Sequence, residues 1–467
     1  MLVLKAYFIH KRRLMAKIVI IGAGLTGLSA AYHLEQNGFY DYKIFEKENT
    51  QGGLCRSIYQ DGFTFDFTGH LLHINDPYFY DFLANILDFE HLDKINRKSF
   101  IFSHNTYSPY PFQINLHGLP TEVVIDCIEG FVKRKQFKKQ TNNYYQWVLQ
   151  HFGAGFGNHF FFPYQTKIFD YDIKKLSADW TSRFVPQTSL RQIIEGAVKK
   201  NQAGNIGYNA HFFYPKQGGI FYLIQQLSKK IRNKIQTNYS VKTVDMQNRL
   251  ITFENGHFEQ FDRLISTMPL NLLLNKIEEK SDMALKSACN KLLCNSVINF
   301  NLGIFKENIS DKHWIYFPEK QFPLYRAGFY SNFCPKMAPK GCSSIYGEVA
   351  CLDRSEKHKA EILAAALQKI KKHFKLHKKD ILTEKIIHID HAYVIYNTWR
   401  EKNIKKIQAR LNENKIYSIG RYGQWKYSSM QEAVLDGKTI ADKLSFAQYK
   451  KYWHAIPQKK NCENRRR

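Results

Sequence analysis

The sequence predicts an α/β fold in which a parallel sheet is interrupted by a mainly helical insert and by an antiparallel sheet. An apolar strand at 17–21 runs through a glycine-rich turn into a helix, which is the start of a βαβ unit. Apolar residues at three-to-four spacing dominate much of 91–205, and short strand patterns recur through 272–400. A chain of 467 residues is long enough for two or three such domains.

The composition excludes several classes of protein. With 44% hydrophobic and 15% aromatic residues the chain is globular, and its 8 cysteines show neither a disulfide framework nor the spacing of a metal site. The net charge of +27 comes from dispersed lysines without a nucleic-acid motif, so we expect a basic surface and no nucleic-acid partner. Because no run of 18 apolar residues occurs, we expect no integral membrane segment. The scattered cysteines are read as reduced thiols, from which we expect a cytoplasmic location.

The glycine-rich turn has the spacing of a dinucleotide-binding loop. Gly22 suits a tight turn, Gly24 a close approach of the backbone to a pyrophosphate, and Gly27 close packing of helix on strand. Free amides at the helix start would face the phosphates. The next strand, 42–45, ends at Glu46, where a carboxylate can accept hydrogen bonds from a ribose.

Two further segments indicate that the dinucleotide bound by this loop is a flavin cofactor. A second glycine pair within 51–56 includes Gly53, and the segment 61–70 ends in Gly69-His70. Together with the first loop they resemble FAD-bound amine oxidases, protoporphyrinogen oxidases and sugar-nucleotide mutases. The sequence therefore predicts a Rossmann-like FAD-binding domain.

The element patterns divide the chain into a discontinuous arrangement. We expect an extension, three pieces of the FAD-binding domain, a mainly helical domain, an antiparallel-sheet substrate domain and a disordered tail. The extension is 1–15, and the FAD-binding domain is made of 16–90, 206–271 and 401–446. The helical domain is 91–205, the substrate domain is 272–400 and the tail is 447–467.

Four segments outside the FAD module have unusual chemistry, and three of them keep an ordinary structural alternative. Tyr110-Pro-Phe-Gln113 suits either an aromatic turn or a stacked pyrimidine. Arg183, beside the Gly/Asn-rich stretch 204–209, suits an anion clamp or a surface charge. Arg326, in an apolar strand pattern, needs either a ligand or a structural carboxylate. The aromatic and basic run 420–427 would lie at the flavin.

These segments together resemble the UDP-galactopyranose mutase family, most closely its eukaryotic type, over residues 16 to about 445. The resemblance implies conversion of UDP-galactopyranose to UDP-galactofuranose, as used in cell-surface polysaccharide biosynthesis. It implies that Arg183, Arg326 and His70 act at the reaction centre. It implies a substrate site of Tyr110, Phe112, Gln113, Asn209, Trp314, Tyr316, Tyr393 and Tyr427. It implies that FAD is held by Gly22, Gly24, Gly27, Glu46, Gly53 and Arg421.

The family mechanism uses N5 of reduced FAD as a nucleophile on the anomeric carbon, with UDP leaving and the sugar reclosing as the other ring form. NADPH or NADH would serve as reductant, and the partner would be a small-molecule nucleotide sugar. Ser428 and Ser429 stand where the family has Asn or Asp, and Phe169 where relatives often have Trp, which leaves the sugar open. An FAD-dependent oxidoreductase of the amine oxidase class and a non-catalytic flavoprotein remain alternatives, and the sequence leaves the oligomeric state open.

Overall fold

The computed structural model describes residues 17–136, 143–181, 185–199, 210–353 and 355–455, the last ten of them as backbone only. Fourteen α-helices lie in this part of the chain. They are α1 Leu25–Gln36, α2 Pro77–Leu87, α3 Thr121–Lys133, α4 Tyr144–His151, α5 Gly153–Phe156, α6 Phe162–Phe169, α7 Leu190–Val198, α8 Phe221–Lys229, α9 Leu270–Lys276, α10 Met283–Ala288, α11 Glu356–His373, α12 Thr398–Glu413, α13 Gly420–Gly423 and α14 Met430–Ala455. A π-helical turn, Gly157–Phe161, joins α5 to α6.

Nineteen strands form the sheets of the described residues. They are β1 Ile18–Ile21, β2 Tyr42–Phe45, β3 Ser57–Gln60, β4 Phe63–Asp66, β5 Leu92–Asn96, β6 Ser99–Ser103, β7 Thr106–Pro109, β8 His211–Pro215, β9 Ile235–Gln236, β10 Val241–Asp245, β11 Leu250–Phe253, β12 Phe258–Gln260, β13 Arg263–Ser266, β14 Ser296–Ile304, β15 Trp314–Tyr316, β16 Arg326–Gly328, β17 Ser343–Cys351, β18 Ile381–Ile389 and β19 Ile416–Ser418. The α/β fold predicted from the sequence is confirmed.

A five-stranded parallel sheet has the order β19-β13-β1-β2-β9. Its central strand β1 is fully buried, as the unbroken apolar run Ile18-Val-Ile-Ile21 requires of a strand covered on both faces. The long helix α14 packs on α1 across one face. The carboxyl ends of β1 and β2 therefore bring the first glycine loop and Glu46 to one edge.

A second sheet of seven strands has the order β18-β14-β17-β16-β15-β6-β7 and is antiparallel except where β15 pairs with β6. One face is apolar: Ile298, Phe300 and Leu302 of β14 pack in a cluster with Ile370 of α11. The opposite face is polar, because strand side chains alternate between the two faces. The polar face lines the candidate site described below.

The helical insert begins later than the sequence predicted. Residues 91–205 were expected to be mainly helical, but 92–96 pairs with β8, and β6 and β7 extend the seven-stranded sheet. The short apolar and aromatic run Phe100-Ile-Phe102 is a strand pattern, but the helical periodicity of the following residues dominated the prediction. The helices of the insert share one aromatic-rich core.

The predicted boundary of the tail is also corrected. Helix α14 continues to Ala455, past the expected start of disorder at residue 447. The segment Tyr449 to Trp453 carries apolar and aromatic residues among its lysines, which continues a helical pattern. No helix in the described ranges is both long and apolar enough to cross a bilayer.

Candidate active site

Two glycine loops face each other at the end of β1. Gly24 forms a parallel bridge with Gly52, and the amide of Gly52 donates to the carbonyl of Ala23. Gly52 and Gly53 have φ values of +116° and +57°, a region open to glycine and strained for other residues. The loops thus meet backbone to backbone.

Each glycine of the first loop is required for a different reason. A Cβ at Gly27 would lie 1.9 Å from the carbonyl oxygen of Gly22, so helix α1 can approach β1 only without a side chain there. A Cβ at Gly22 would lie 2.2 Å from Oγ1 of Thr267. At Gly24 the nearest atom is the Cα of Gly53, 3.8 Å away, which leaves open space beside the start of α1.

Glu46 is buried beside this space. Its Oε2 accepts the amide of Ala23 at 2.8 Å and its Oε1 accepts the amide of Glu48 at 3.0 Å. These bonds fix the carboxylate against the glycine loop. Because each carboxylate oxygen has two lone-pair sites, both oxygens can accept one further hydrogen bond, as a ribose diol requires.

Arg326 is the charged centre of the polar face of the seven-stranded sheet. Its Nη2 donates to Oε1 and Oε2 of Glu348 at 2.7 and 2.8 Å, and its Nε donates to Oε2 at 3.1 Å. Glu348 is completely buried. Burial alone would lower the pKa of Arg326, but the adjacent carboxylate holds it above its ordinary value. The structural carboxylate considered in the sequence analysis is therefore present, and Nη1 is the guanidinium nitrogen outside these bonds.

Tyrosine rings surround this pair. Tyr316 lies opposite Arg326 in the register of β15 and β16, and its ring is 5.2 Å from that of Tyr110. On the other side Tyr393 stacks on Tyr427 with centroids 6.4 Å apart. Burial raises the pKa of Tyr393 to about 12, so its hydroxyl remains a hydrogen-bond donor at neutral pH.

Arg421 extends the cationic character of the cleft. Its guanidinium lies 4.9 Å from the ring centre of Tyr427 and 5.5 Å from that of Tyr393. Nη1 donates to the carbonyl of Ser428 and Nη2 to that of Ala392. The aromatic and basic run predicted from the sequence is thus folded around this one side chain.

His70 lies between the two halves of the site. Burial, together with the positive charges of Arg421 and Arg326, lowers the pKa of His70 to about 4, so the ring is neutral at pH 7. Its Nδ1 is buried and has no hydrogen-bond partner among the described residues. A buried polar atom without a partner is costly in a folded protein and is expected where a ligand completes the structure.

Other polar atoms around the cleft share this property. Among the described residues, the buried side-chain atoms without a hydrogen-bond partner include Ser99 Oγ, Trp180 Nε1 and Ser428 Oγ. Trp314 pairs with Ser99 across the sheet, and Trp180 lies 6.3 Å from Tyr427. The cleft therefore offers both donors and acceptors to a polar ligand.

The segment Tyr110-Pro-Phe-Gln113 reaches the cleft with only its first side chain. Phe112 is completely buried and stacks on Phe160, so contact of its ring with a ligand stays a prediction. Gln113 is also buried and donates from Nε2 to the carbonyl of Pro186. A short 3₁₀ turn at 112–114 directs both side chains into the core of the helical insert. Arg183, Asn209 and the stretch 204–209 lie outside the described residues.

Three residues at the cleft were not singled out from the sequence. Glu348 pairs with Arg326, and Arg97 is buried with its guanidinium 5.0 Å from the ring centre of Tyr110. Tyr346 lies opposite Gly328 in the sheet, and a Cβ at Gly69 would lie 2.6 Å from its hydroxyl. Alternation within β17 could have identified Tyr346 and Glu348, which share one face of the strand.

Comparisons with known proteins agree with this geometry. The crystal structure of a reduced UDP-galactopyranose mutase superposes with a TM-score of 0.86 and 26% identity, over 93% of this chain and 94% of that one. A putative protoporphyrinogen oxidase from Exiguobacterium sp. 255-15 superposes with a TM-score of 0.70 at 16% identity, over 92% and 99% of the two chains, which is a likeness of fold.

Sequence comparison reaches less of the chain. The 4,4'-diapophytoene desaturase of Staphylococcus aureus (strain COL) is 36% identical over 86 residues, which are 18% of this chain and 17% of the desaturase. Residues 25–445, in contrast, match the family described as flavin containing amine oxidoreductase. The chain belongs to the family of flavin containing amine oxidoreductases.

Proposed function

We propose that this protein is an FAD-dependent sugar-nucleotide mutase that interconverts UDP-galactopyranose and UDP-galactofuranose or a closely related pair. The observation that carries the proposal is the cationic, tyrosine-lined cleft around Arg326. The structural likeness to a UDP-galactopyranose mutase over nearly the whole of both chains supports it.

The glycine loops fit FAD. The open space beside Gly24 would admit a pyrophosphate to the first amides of α1, where partial positive charge favours anions. Glu46 would accept hydrogen bonds from the adenosine ribose, and Gly53 and Arg421 would lie along the remainder of the cofactor. When bound and reduced, FAD would supply a nucleophilic nitrogen to the anomeric carbon.

The residues of the cleft would bind and orient the nucleotide sugar. Arg326, through Nη1, would hold the pyrophosphate together with Arg183, and hydroxyls of Tyr316, Tyr393 and Tyr427 would donate to its oxygens. These donors would stabilise charge on the departing UDP, which is the main electrostatic requirement of the reaction. Neutral His70 would offer a polar contact beside the flavin without adding charge.

The ion pair with Glu348 changes how Arg326 should be tested. Arg326→Ala would leave a completely buried carboxylate unpaired, so loss of the fold and loss of binding would be confounded. Arg326→Lys keeps the charge beside Glu348 but removes the planar fork. We expect its affinity for UDP, measured by isothermal titration, to fall by about 1.5–3 kcal/mol with normal FAD content.

A matched control is Arg263→Lys. Arg263 is also a half-buried arginine on a strand, but it donates to the carbonyl of Leu444 at the opposite end of the parallel sheet. This variant should bind UDP like the wild type. Equal affinity for UDP in Arg326→Lys and Arg263→Lys would reject the assignment of Arg326 to phosphate.

Activity distinguishes the mutase from an oxidoreductase of the same family. The protein reduced by dithionite or a nicotinamide cofactor should interconvert the two UDP-galactose ring forms, followed by chromatography, without stoichiometric peroxide. An oxidoreductase would consume oxygen in proportion to product. Turnover that requires oxidised flavin would therefore exclude the mutase.

A further inference from the structure

Lysines are concentrated at the end of helix α11 and in the turn that follows it. The segment 369–380 contains six lysines and one acid, Asp380, whereas the whole chain has 68 Lys and Arg against 41 Asp and Glu. Lysines in the last turn of a helix are ordinary, because they interact favourably with its C-terminal carbonyls. That explanation covers the lysines up to residue 372 but not Lys375, Lys378 and Lys379, which lie beyond the end of α11.

The packing of this segment directs its lysines outward. Ile370 and Leu376 are buried in the core under the apolar face of the seven-stranded sheet, and Phe374 packs edge-to-face on Phe329. Within the described chain, Lys371 pairs with Glu384 at 3.8 Å and Lys369 donates to the amide oxygen of Gln321, and the other four lysines of the segment have no ion pair. These four exposed side chains are Lys372, Lys375, Lys378 and Lys379.

Asp380 fixes the end of the segment beside two exposed hydrophobic side chains. Its Oδ2 accepts the amide of His377 at 2.8 Å and pairs with Nζ of Lys306 at 3.2 Å, and its carbonyl accepts the amide of Phe305 at 2.8 Å. Phe305 is 64% exposed, and Leu382, two residues beyond Asp380 on β18, is 52% exposed. These two side chains and the four exposed lysines form one surface, which we call the lysine patch.

The elements beside the lysine patch do not cancel its charge. They are the segments after β14 and β15, the β3–β4 turn, which Gln60 bonds to Thr383, and the loop at Pro339 that Gly62 meets. With these elements included, ten lysines stand against six acids. The added lysines are Lys306, Lys312, Lys320 and Lys340, and the acids are Asp61, Glu307, Asp311, Glu319, Asp380 and Glu384. Four of the acids are already bonded within the protein, namely Asp311, Glu319, Asp380 and Glu384.

We propose that the lysine patch docks the protein on an anionic lipid bilayer. Anionic headgroups attract clusters of about 4–8 lysines, and exposed apolar side chains insert at the boundary with the acyl chains. The phosphates of a nucleic acid are instead matched best by the planar fork of arginine, and the segment 369–380 contains none. Docking of this kind requires no helix that crosses the bilayer, and the inference is independent of the proposed function.

Cosedimentation of the full chain with lipid vesicles tests the proposal. Vesicles of phosphatidylcholine with about 30% phosphatidylserine should bind the protein at least about 10-fold more tightly than phosphatidylcholine alone at about 0.1 M salt. Raising the salt to about 0.5 M should release it, since exposed charges are screened. Equal binding to the two kinds of vesicle, or tighter binding to a duplex oligonucleotide than to the anionic vesicles, would overturn the proposal.

Removal of three lysines locates the contact. The triple variant Lys375→Gln, Lys378→Gln, Lys379→Gln should bind the anionic vesicles about 100-fold more weakly, because each lysine near such a surface contributes roughly five-fold in affinity. The three side chains are exposed, so normal FAD content and circular dichroism are expected.

The matched control removes three exposed lysines from α12, which packs on β19 of the parallel sheet. It has the same net charge as the first triple variant and should bind the vesicles like the wild type. Its changes are Lys402→Gln, Lys405→Gln and Lys406→Gln. Equal weakening of the two triple variants would show that the net charge of the chain, and not the lysine patch, causes binding, and would reject the proposal.

The apolar part of the patch has its own test. Phe305→Ser should weaken vesicle binding by about 10-fold, because an exposed aromatic ring that enters the bilayer leaves water. Phe258→Ser changes a side chain that is 67% exposed on β12, in the separate three-stranded sheet, and should leave binding unchanged. Equal affinity of the two serine variants would exclude insertion of Phe305 and with it the docking geometry proposed.

Discussion

The glycine loops and the arginine cleft are neighbouring parts of one site that are built in opposite ways. In the loops, missing side chains let backbone meet backbone, as where Gly27 approaches the carbonyl of Gly22. In the cleft, large side chains meet across strands, as Arg326 meets Glu348. Where a glycine of the first arrangement faces backbone, as Gly27 does, no added atom is tolerated, whereas the second arrangement tolerates a change of side chain if charge and hydrogen bonds are kept. The effect of a substitution in either region therefore depends on whether the new atoms meet backbone or a side chain.

The largest effect is expected at Gly27. In Gly27→Ala the methyl group would lie 1.9 Å from a backbone oxygen, which cannot rotate away as a side chain can. We expect the free energy of unfolding to fall by about 3 kcal/mol or more, with loss of flavin. Urea unfolding and the flavin absorbance of the purified protein measure both effects.

Gly24→Ala is the matched control within the same loop. Its φ of −73° suits alanine, and the nearest atom to the methyl group would be 3.8 Å away. The variant should fold like the wild-type apoprotein but lose FAD, because the methyl group would occupy the space assigned to the pyrophosphate. Full retention of FAD would show that the cofactor does not approach this backbone.

The next largest effect is expected in the cleft at Glu348. Glu348→Ala leaves the guanidinium of Arg326 without its buried partner and should lower the free energy of unfolding by about 3–5 kcal/mol. Lys306→Ala removes an ion pair with Asp380 in which the lysine is 47% exposed, and it should cost less than about 1 kcal/mol. Chemical denaturation compares the two. Similar losses would mean that the burial of Glu348 does not matter energetically.

The sequence predicts the glycine loops more completely than it predicts the arginine cleft. The glycine loops are contiguous, so strand, turn, helix and Glu46 could be read in order, and the structure has them at one edge of the sheet. The ion pair of Arg326 depends on the register of β16 against β17, which one sequence does not specify. Phe112 illustrates the same limit, since a local turn decides whether its ring faces ligand or core.

Acid should lower the stability of the protein through its buried histidines. Burial lowers the pKa values of His70, His73, His313 and His373 to about 4. Between pH 6.5 and 4 the unfolded chain thus binds more protons at these residues, so stability falls as pH falls. Asp66 and Glu401 oppose this, because burial raises their pKa values, that of Asp66 to about 6, but they are two groups against four. We expect urea unfolding at pH 5 to show about 3 kcal/mol less stability than at pH 7.

His313→Asn provides the control for the acid prediction. Nδ1 of His313 accepts the amide of Lys98, and an asparagine oxygen can accept the same bond but does not titrate in this range. The variant should lose stability less steeply than the wild type between pH 7 and 5. An unchanged slope would remove His313 from the explanation.

The smallest effect is expected at Gly69, a glycine that is required by a side chain. A Cβ at Gly69 would lie 2.6 Å from the hydroxyl of Tyr346 but 3.4 Å from its ring carbon Cζ. Gly69→Ala should therefore cost about 1–3 kcal/mol and displace the segment that carries His70. Tyr346→Phe, whose ring keeps its stacking on Tyr330 at 4.6 Å, should cost about 1 kcal/mol or less.

The double variant decides between the two kinds of contact. With the hydroxyl gone, Gly69→Ala with Tyr346→Phe should recover at least about 1 kcal/mol relative to the sum of the single changes, which is a coupling expected of residues in direct contact. Gly27→Ala has no such rescue, since its methyl group meets a backbone oxygen that no substitution removes. Additive losses in the double variant would mean that Gly69 is required by its own backbone, and the segment before His70 would then belong with the glycine loops.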